Sequence, residues 1–181
     1  LAGVPVRLVV SERNNFSLSK ANALSWRGRM MGHYVRLAYP HADTVVAISQ
    51  GVADDLTQYA PLQAIDVVYN PVETRYVKRL SRAEPDHPWL CHGHVPVVLG
   101  VGRLTPQKGF PTLIQAFARL RETHDARLII LGEGELRPQL ESLVCQLGLH
   151  EVVSLPGFKR NPYSFMRRAD LFVLSSAWEG F

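Results

Sequence analysis

An α/β fold with parallel sheets is what this sequence predicts, on three observations. Short β-rich apolar runs alternate with longer stretches of helical spacing along most of the chain. Glycine-containing turns follow three of the apolar runs in the second half, around Gly102, Gly132 and Gly157. The composition of the 181 residues, 46% hydrophobic and 20% charged, suits a globular protein that buries a core.

Each element can be justified in order. Val6 to Val10 reads as a buried strand, and the polar stretch Ser11 to Ser19 as a loop. Trp26 to Ala38 has helical spacing, with Pro40 just beyond its end. Thr44 to Ile48 is the next strand, and Ser49 is a suitable N-cap for a helix running to about Tyr59. Ile65 to Tyr69 is a third strand, stopped by Asn70-Pro71. Residues 73–94 carry prolines and mixed charge without periodicity and read as a linker or exposed loop. A second domain is expected from about Val95. Its elements are strand Val97 to Val101, helix Phe110 to Glu122, strand Arg127 to Leu131 and a helix from near Pro138 to Gly148. Strand Val152 to Leu155, a short helix Pro162 to Arg168 and strand Leu171 to Leu174 complete it.

A parallel sheet needs helices on both faces. The last strand has none after it and the first has nothing before it, so the expectation is a chain cut at both ends. Residues 1–72 would then be the end of one domain and residues 95–181 an incomplete second one.

The charge is +4 at pH 7, unevenly spread. Between Arg13 and Asp43 there is no acidic residue, while Arg13, Lys20, Arg27, Arg29 and Arg36 are interleaved with Trp26, Met30, Met31, Tyr34 and Tyr39. A helix of this kind can lie on an anionic membrane surface, and an ordinary helix with one core face and one solvated face fits better still. No apolar run is long enough to span a bilayer. The start, Leu-Ala-Gly-Val-Pro-Val-Arg, lacks the features of a signal peptide, and the two cysteines, Cys91 and Cys145, give no disulfide framework. A cytoplasmic location is expected, peripheral at the inner face of the plasma membrane if the basic helix makes that contact. Nucleic acid is not an expected partner, since charges elsewhere are mixed and no reader motif occurs.

Four segments carry polar chemistry. Gly100-Val101-Gly102-Arg103-Leu104-Thr105-Pro106-Gln107-Lys108-Gly109 joins a strand end to a helix start, where open α/β sheets bind ligands and where anions are favoured. Arg103 and Lys108 would hold a diphosphate there, the arginine as a fork and the lysine as a point charge. A surface turn with two solvated cations has the same spacing. Gly132-Glu133-Gly134-Glu135 is another such turn, but it is not the dinucleotide fingerprint, and a tight turn explains it equally well. In Leu155-Pro156-Gly157-Phe158-Lys159-Arg160 the backbone can hydrogen-bond a flat ring lined by Phe158; an ordinary turn fits slightly better on its own. In Ser175-Ser176-Ala177-Trp178-Glu179-Gly180-Phe181, Glu179 can accept hydrogen bonds from sugar hydroxyls or steady developing positive charge, or simply cap a helix.

Gly-Arg-Leu-(x)3-Lys-Gly, Leu-Gly-Glu-Gly, Leu-Pro-Gly-Phe and Ala-Asp-Leu-Phe-Val-Leu-Ser-Ser-x-x-Glu-Gly-Phe occur here in one order and spacing. In that order residues 97–181 resemble the donor domain of family-4 (group 1) retaining glycosyltransferases of the GT-B architecture. Ala42 to Ser49 and Val67 to Val72 resemble the end of the acceptor domain and the crossover.

The resemblance implies two Rossmann-like domains, both truncated here, with an acceptor-binding domain in residues 1–72 and a donor-binding domain in residues 95–181. It implies transfer of a hexosyl group from a nucleotide diphosphate sugar to a glycan or lipid-linked acceptor, with retention of anomeric configuration and without a metal or other cofactor. Arg103 and Lys108, with Gly102, match the diphosphate site. Glu179 matches the first glutamate of a Glu-(x)7-Glu motif and touches the transferred sugar; the second would lie beyond Phe181. Phe158, Lys159 and Arg160 fall at the nucleobase, and Gly134 beside the donor. Val10-Ser11-Glu12-Arg13-Asn14 resembles bacterial enzymes that extend lipid-linked or exopolysaccharide oligosaccharides, often with uridine diphosphate sugars. Glu12 or Arg13 would contact donor, with a structural salt bridge as the alternative. The incomplete chain itself is expected to be inactive.

Two rivals share the architecture: a non-catalytic nucleotide-sugar binder and a nucleotide-sugar epimerase. A zinc site at His87, Cys91, His92 and His94 is not expected, because the spacing matches no finger. Ser175 and Ser176 have no hydrolase elbow.

Overall fold

The computed structural model describes residues 6–22, 26–62, 64–91 and 95–180. The chain divides into two compact units, Leu1–Val72 with Trp178–Phe181, and Glu73–Ala177.

In the first unit β1 (Val9–Glu12), β2 (Thr44–Ala47) and β3 (Asp66–Val67) form a parallel sheet in that order. β1 begins three residues later than expected. Its pairing with β2 starts at Val9 opposite Thr44, because the Leu8 N–H is already taken by the Asp43 carboxylate at 2.7 Å. The stretch expected as a loop contains α1 (Phe16–Ala21), whose N-cap Asn15 accepts from the Leu18 N–H at 3.0 Å. Only Phe16 of this helix is buried, packed on Tyr59 with ring centroids 4.6 Å apart, so no helical repeat announces it. α2 (Trp26–Ala38) has the expected bounds. It buries Gly32 and Val35 and leaves Met30, Met31, Tyr34, Arg36 and Leu37 exposed. Ser49 caps α3 (Gln50–Tyr59), accepting from the Val52 N–H at 3.3 Å, and Val52, Ala53 and Leu56 face the sheet.

The second unit carries α4 (Thr74–Leu80), α5 (Pro88–Cys91), β4 (Val97–Val101), α6 (Phe110–Arg121), β5 (Arg127–Leu131), α7 (Arg137–Gln146), β6 (Val153–Gly157), α8 (Pro162–Arg168) and β7 (Leu171–Phe172). Residues 73–94, read from the sequence as linker or loop, therefore hold two helices. α4 buries no side chain, which is why its sequence shows no apolar period.

The strand order is β6-β5-β4-β7, all parallel. Alternation along β5 explains the sandwich. Leu128 and Ile130 point to one face and pack with Leu104, Phe110, Ile114, Phe117 and Leu140. Ile129 and Leu131 point to the other and pack with Leu90, Val97, Leu99 and Phe165. A strand buried on both faces reads as a continuous apolar run, and Arg-Leu-Ile-Ile-Leu does.

Candidate active site

The carboxyl ends of β4, β5 and β6 lie side by side, and the loops leaving them are joined through their backbones. The Gly102 N–H donates to Leu131 O at 3.0 Å, Leu104 N–H to Glu133 O at 2.8 Å, Leu136 N–H to Leu104 O at 3.0 Å and Gly132 N–H to Gly157 O at 3.0 Å. Gly132 sits at φ 143°, and a methyl group there would collide with the Gly102 carbonyl oxygen and lie 2.9 Å from its carbon. The Gly-Glu-Gly turn thus serves a close approach of two loops. Gly134, expected beside the donor, packs its Cα against the Leu104 backbone.

After β4 the chain makes a 3-10 turn, Pro106–Lys108, and ends it at Gly109 with φ 62°. Glycine suits this position because a side chain would strike the Ser175 carbonyl and the left-handed φ disfavours one, and the Ser175 hydroxyl donates to Lys108 O at 2.8 Å. The Lys108 stem lies across Gly102, whose added Cβ would stand 3.1 Å from both Lys108 Cγ and Cδ. Gly102, Arg103 and Lys108 are therefore gathered at one strand end.

A cavity of about 460 Å³ opens above these loops, lined by Gly102, Arg103, Glu133, Phe158, Lys159 and Arg160 among others. It brings together residues expected from the sequence to serve the diphosphate and the nucleobase. Phe158 is 73% exposed. The Lys159 ammonium is bound to the Asp86 carboxylate at 2.6 Å, a bond that holds the Asp86 carboxyl below its usual range.

The sequence marks the turn that contains Glu133 but assigns no role to that carboxylate, and none to Arg137. The Arg137 guanidinium grips both Glu133 oxygens, Nε to Oε2 at 2.8 Å and Nη2 to Oε1 at 2.9 Å, and also donates to Glu141 at 2.7 Å and Leu155 O at 3.1 Å. These bonds keep the Glu133 carboxyl below its ordinary value, with the Phe158 N–H adding to the effect. Spacing of glutamate, arginine and glutamate at positions 133, 137 and 141 was the available signal.

His87 is buried beside β6. Its Nδ1 accepts from the Trp89 N–H at 3.3 Å, so Nε2 carries the hydrogen and donates to Ser154 Oγ at 3.1 Å. Burial pushes its pKa down, and the Lys159 charge acts the same way. The Cys91 thiol donates to Pro85 O. Both groups have work apart from any metal; His92 and His94 lie outside the described residues.

The remaining candidates belong to the first unit. Glu12 accepts from the N–H groups of Arg13 at 3.1 Å and Asn14 at 3.4 Å, and from the Tyr39 hydroxyl at 3.0 Å. It shapes its own turn. Burial, then the Glu12 charge, pushes the Tyr39 phenol up to about 12. The Arg13 side chain is exposed, and its carbonyl presses on Gly180. Glu179 and Gly180 line a small cleft of about 90 Å³ with Asn15, Ser49, Gly51 and Val52, and the Ser49 hydroxyl donates to Gly180 O at 2.6 Å. Glu179 thus falls in a different unit from Arg103 and Lys108.

The sequence matches Glycosyl transferases group 1 over residues 89–181 and Glycosyltransferase Family 4 over residues 2–76. This chain belongs to the group 1 glycosyltransferases. Among relatives of this glycosyltransferase is the N-acetylgalactosamine-N,N'-diacetylbacillosaminyl-diphospho-undecaprenol 4-alpha-N-acetylgalactosaminyltransferase of Campylobacter jejuni, 33% identical over 99% of this chain and 47% of that protein. The lipopolysaccharide core biosynthesis glycosyltransferase LpsE of Rhizobium meliloti is 34% identical over 82% of this chain and 42% of its own length. Among solved structures, HepE of Anabaena in complex with UDP superposes with a TM-score of 0.72 at 23% identity, over 94% of this chain and 47% of that one. The glycosyltransferase chain is α/β with two parallel sheets of the GT-B type, and spans about half the length of these relatives. No helix among the described residues is long and apolar enough to cross a membrane.

Proposed function

We propose that this chain forms part of a retaining hexosyltransferase that uses a nucleotide diphosphate sugar, with a uridine diphosphate sugar as the favoured donor. The observation that carries the reading is the cavity at the carboxyl ends of β4, β5 and β6, lined by Arg103 and by Phe158 to Arg160. It offers cationic and flat apolar surfaces within one opening, which suits a nucleotide. The UDP complex of HepE and the name of the Campylobacter relative support donor and acceptor classes respectively.

In this reading Arg103 and Lys108 neutralise the diphosphate, assigning that countercharge to side chains rather than to a metal. Gly102 leaves room for the Lys108 stem. Phe158 and the backbone to Arg160 hold the base. Glu179 touches the transferred sugar. The bond from the sugar anomeric carbon to the diphosphate oxygen breaks, an acceptor hydroxyl oxygen bonds on the same face, and its proton passes to the departing diphosphate. The acceptor is a glycan or a lipid-linked glycan. The exposed face of α2, where Met30, Met31, Tyr34 and Leu37 accompany Arg36, favours contact with the anionic membrane surface that would carry such an acceptor.

Calorimetric titration with uridine diphosphate tests the donor site. Charge-assisted hydrogen bonds are worth about 1.5–3 kcal/mol, so Arg103→Ala is expected to weaken binding by roughly 10- to 100-fold. Unchanged affinity would remove the diphosphate assignment.

A further inference from the structure

Resting on that donor reading, we propose that Arg137, which does not line the cavity itself, is a positioning residue for base recognition. It acts by holding Glu133 as a strut beneath the loop that follows β6. Two geometric facts bear on Glu133 and a third on its partner Arg137. Arg137 holds both of its carboxylate oxygens in a fork, at 2.8 and 2.9 Å. The same guanidinium reaches Leu155 O at 3.1 Å, fastening the strut to the strand that leads into the loop. Gly157 meets Glu133 directly: a Cβ on it would stand 2.7 Å from Glu133 Oε1. Phe158, the first residue of the base-facing loop, follows Gly157 directly, so the carboxylate stands at the start of that loop.

The chemistry suits this task. A guanidinium fork fixes a carboxylate in orientation as well as position, which a lysine cannot do. The pair is partly solvated, with side-chain exposures of 27% for Arg137 and 53% for Glu133, so its contribution to fold stability is small. What it fixes is where the Phe158 backbone stands relative to the cavity. Glu141, at 2.7 Å from Arg137 Nη1, gives the guanidinium a further carboxylate partner.

The test compares two probes on the 181-residue chain by calorimetry, uridine diphosphate and inorganic pyrophosphate, in the wild type, R137Q and E133Q. Wild type is expected to prefer uridine diphosphate over pyrophosphate by at least about tenfold. Both substitutions should cut that preference by roughly fivefold or more while pyrophosphate affinity stays within about twofold. E133Q serves as the second variant should R137Q fold poorly. An undiminished preference in both variants overturns the positioning role, and so does an equal loss for both probes, which is what a merely structural defect produces. Equal binding of the two probes by the wild type would instead reject the base-cavity reading on which the inference rests.

Discussion

Replacing Gly132 by alanine is expected to unlace the loops at the strand ends. The new methyl group would collide with the Gly102 carbonyl oxygen, so the turn after β5 and the loop after β4 must separate. Two backbone hydrogen bonds span that contact, Gly102 N–H to Leu131 O and Leu104 N–H to Glu133 O. Each contributes about 0.5–1.5 kcal/mol net. Alanine at the Gly132 φ of 143° adds a backbone cost of about 1–3 kcal/mol. Together these reach about 2–6 kcal/mol, a large part of the roughly 5–15 kcal/mol that holds a domain folded. Urea denaturation of the wild type and G132A measures the loss, and calorimetry with uridine diphosphate measures its effect on the cavity, where at least about tenfold weaker binding is expected. A G132A chain within about 0.5 kcal/mol of wild type and with equal nucleotide affinity would refute the claim that this glycine exists for the loop contact.

Two further expectations concern titrating groups. His87 has a depressed pKa, so the unfolded chain takes up a proton that the folded chain refuses as pH falls below the ordinary 6.5. Stability attributable to His87 is therefore full above that value and declines below it, and the thermal midpoint of H87Q should fall less steeply between neutral and mildly acidic pH than that of wild type. Identical slopes would count against a buried neutral imidazole. Tyr39 should be among the last phenols to ionise, at about 12. Ultraviolet titration of Y39F should lack a strongly alkaline step, and an unchanged curve would mean that the phenol does not lie against Glu12.

Legibility from the sequence followed burial. β4 and β5 are sandwiched, and their uninterrupted apolar runs announced them; Ser49 announced α3 because its hydroxyl caps it. α1 and α4 were missed since one buries a single phenylalanine and the other nothing, so neither imposes a period on its residues. At the cavity, Arg103 and Phe158 were conspicuous because they stand in turns after strands, as was Lys108 in the turn after β4. Glu133 and Arg137 were not, because their meaning lies in a pairing across a turn with Leu155 O, Gly157 and Phe158, residues about twenty positions further on. The Lys159–Asp86 bond spans 73 positions and was equally out of reach.

That bond has a bearing on how the second unit, Glu73–Ala177, can be cut out and studied alone. Asn161 Nδ2 donates to Leu80 O, Lys159 pairs with Asp86, and His87 is bonded to Ser154 beside Phe165. The first two tie the stretch before β4 to the loop that lines the cavity, and the third ties it to β6. A recombinant piece begun at Val95 would shed all three ties and bare the side of Phe165 that His87 covers, whereas one begun at Glu73 carries its own buttress with it.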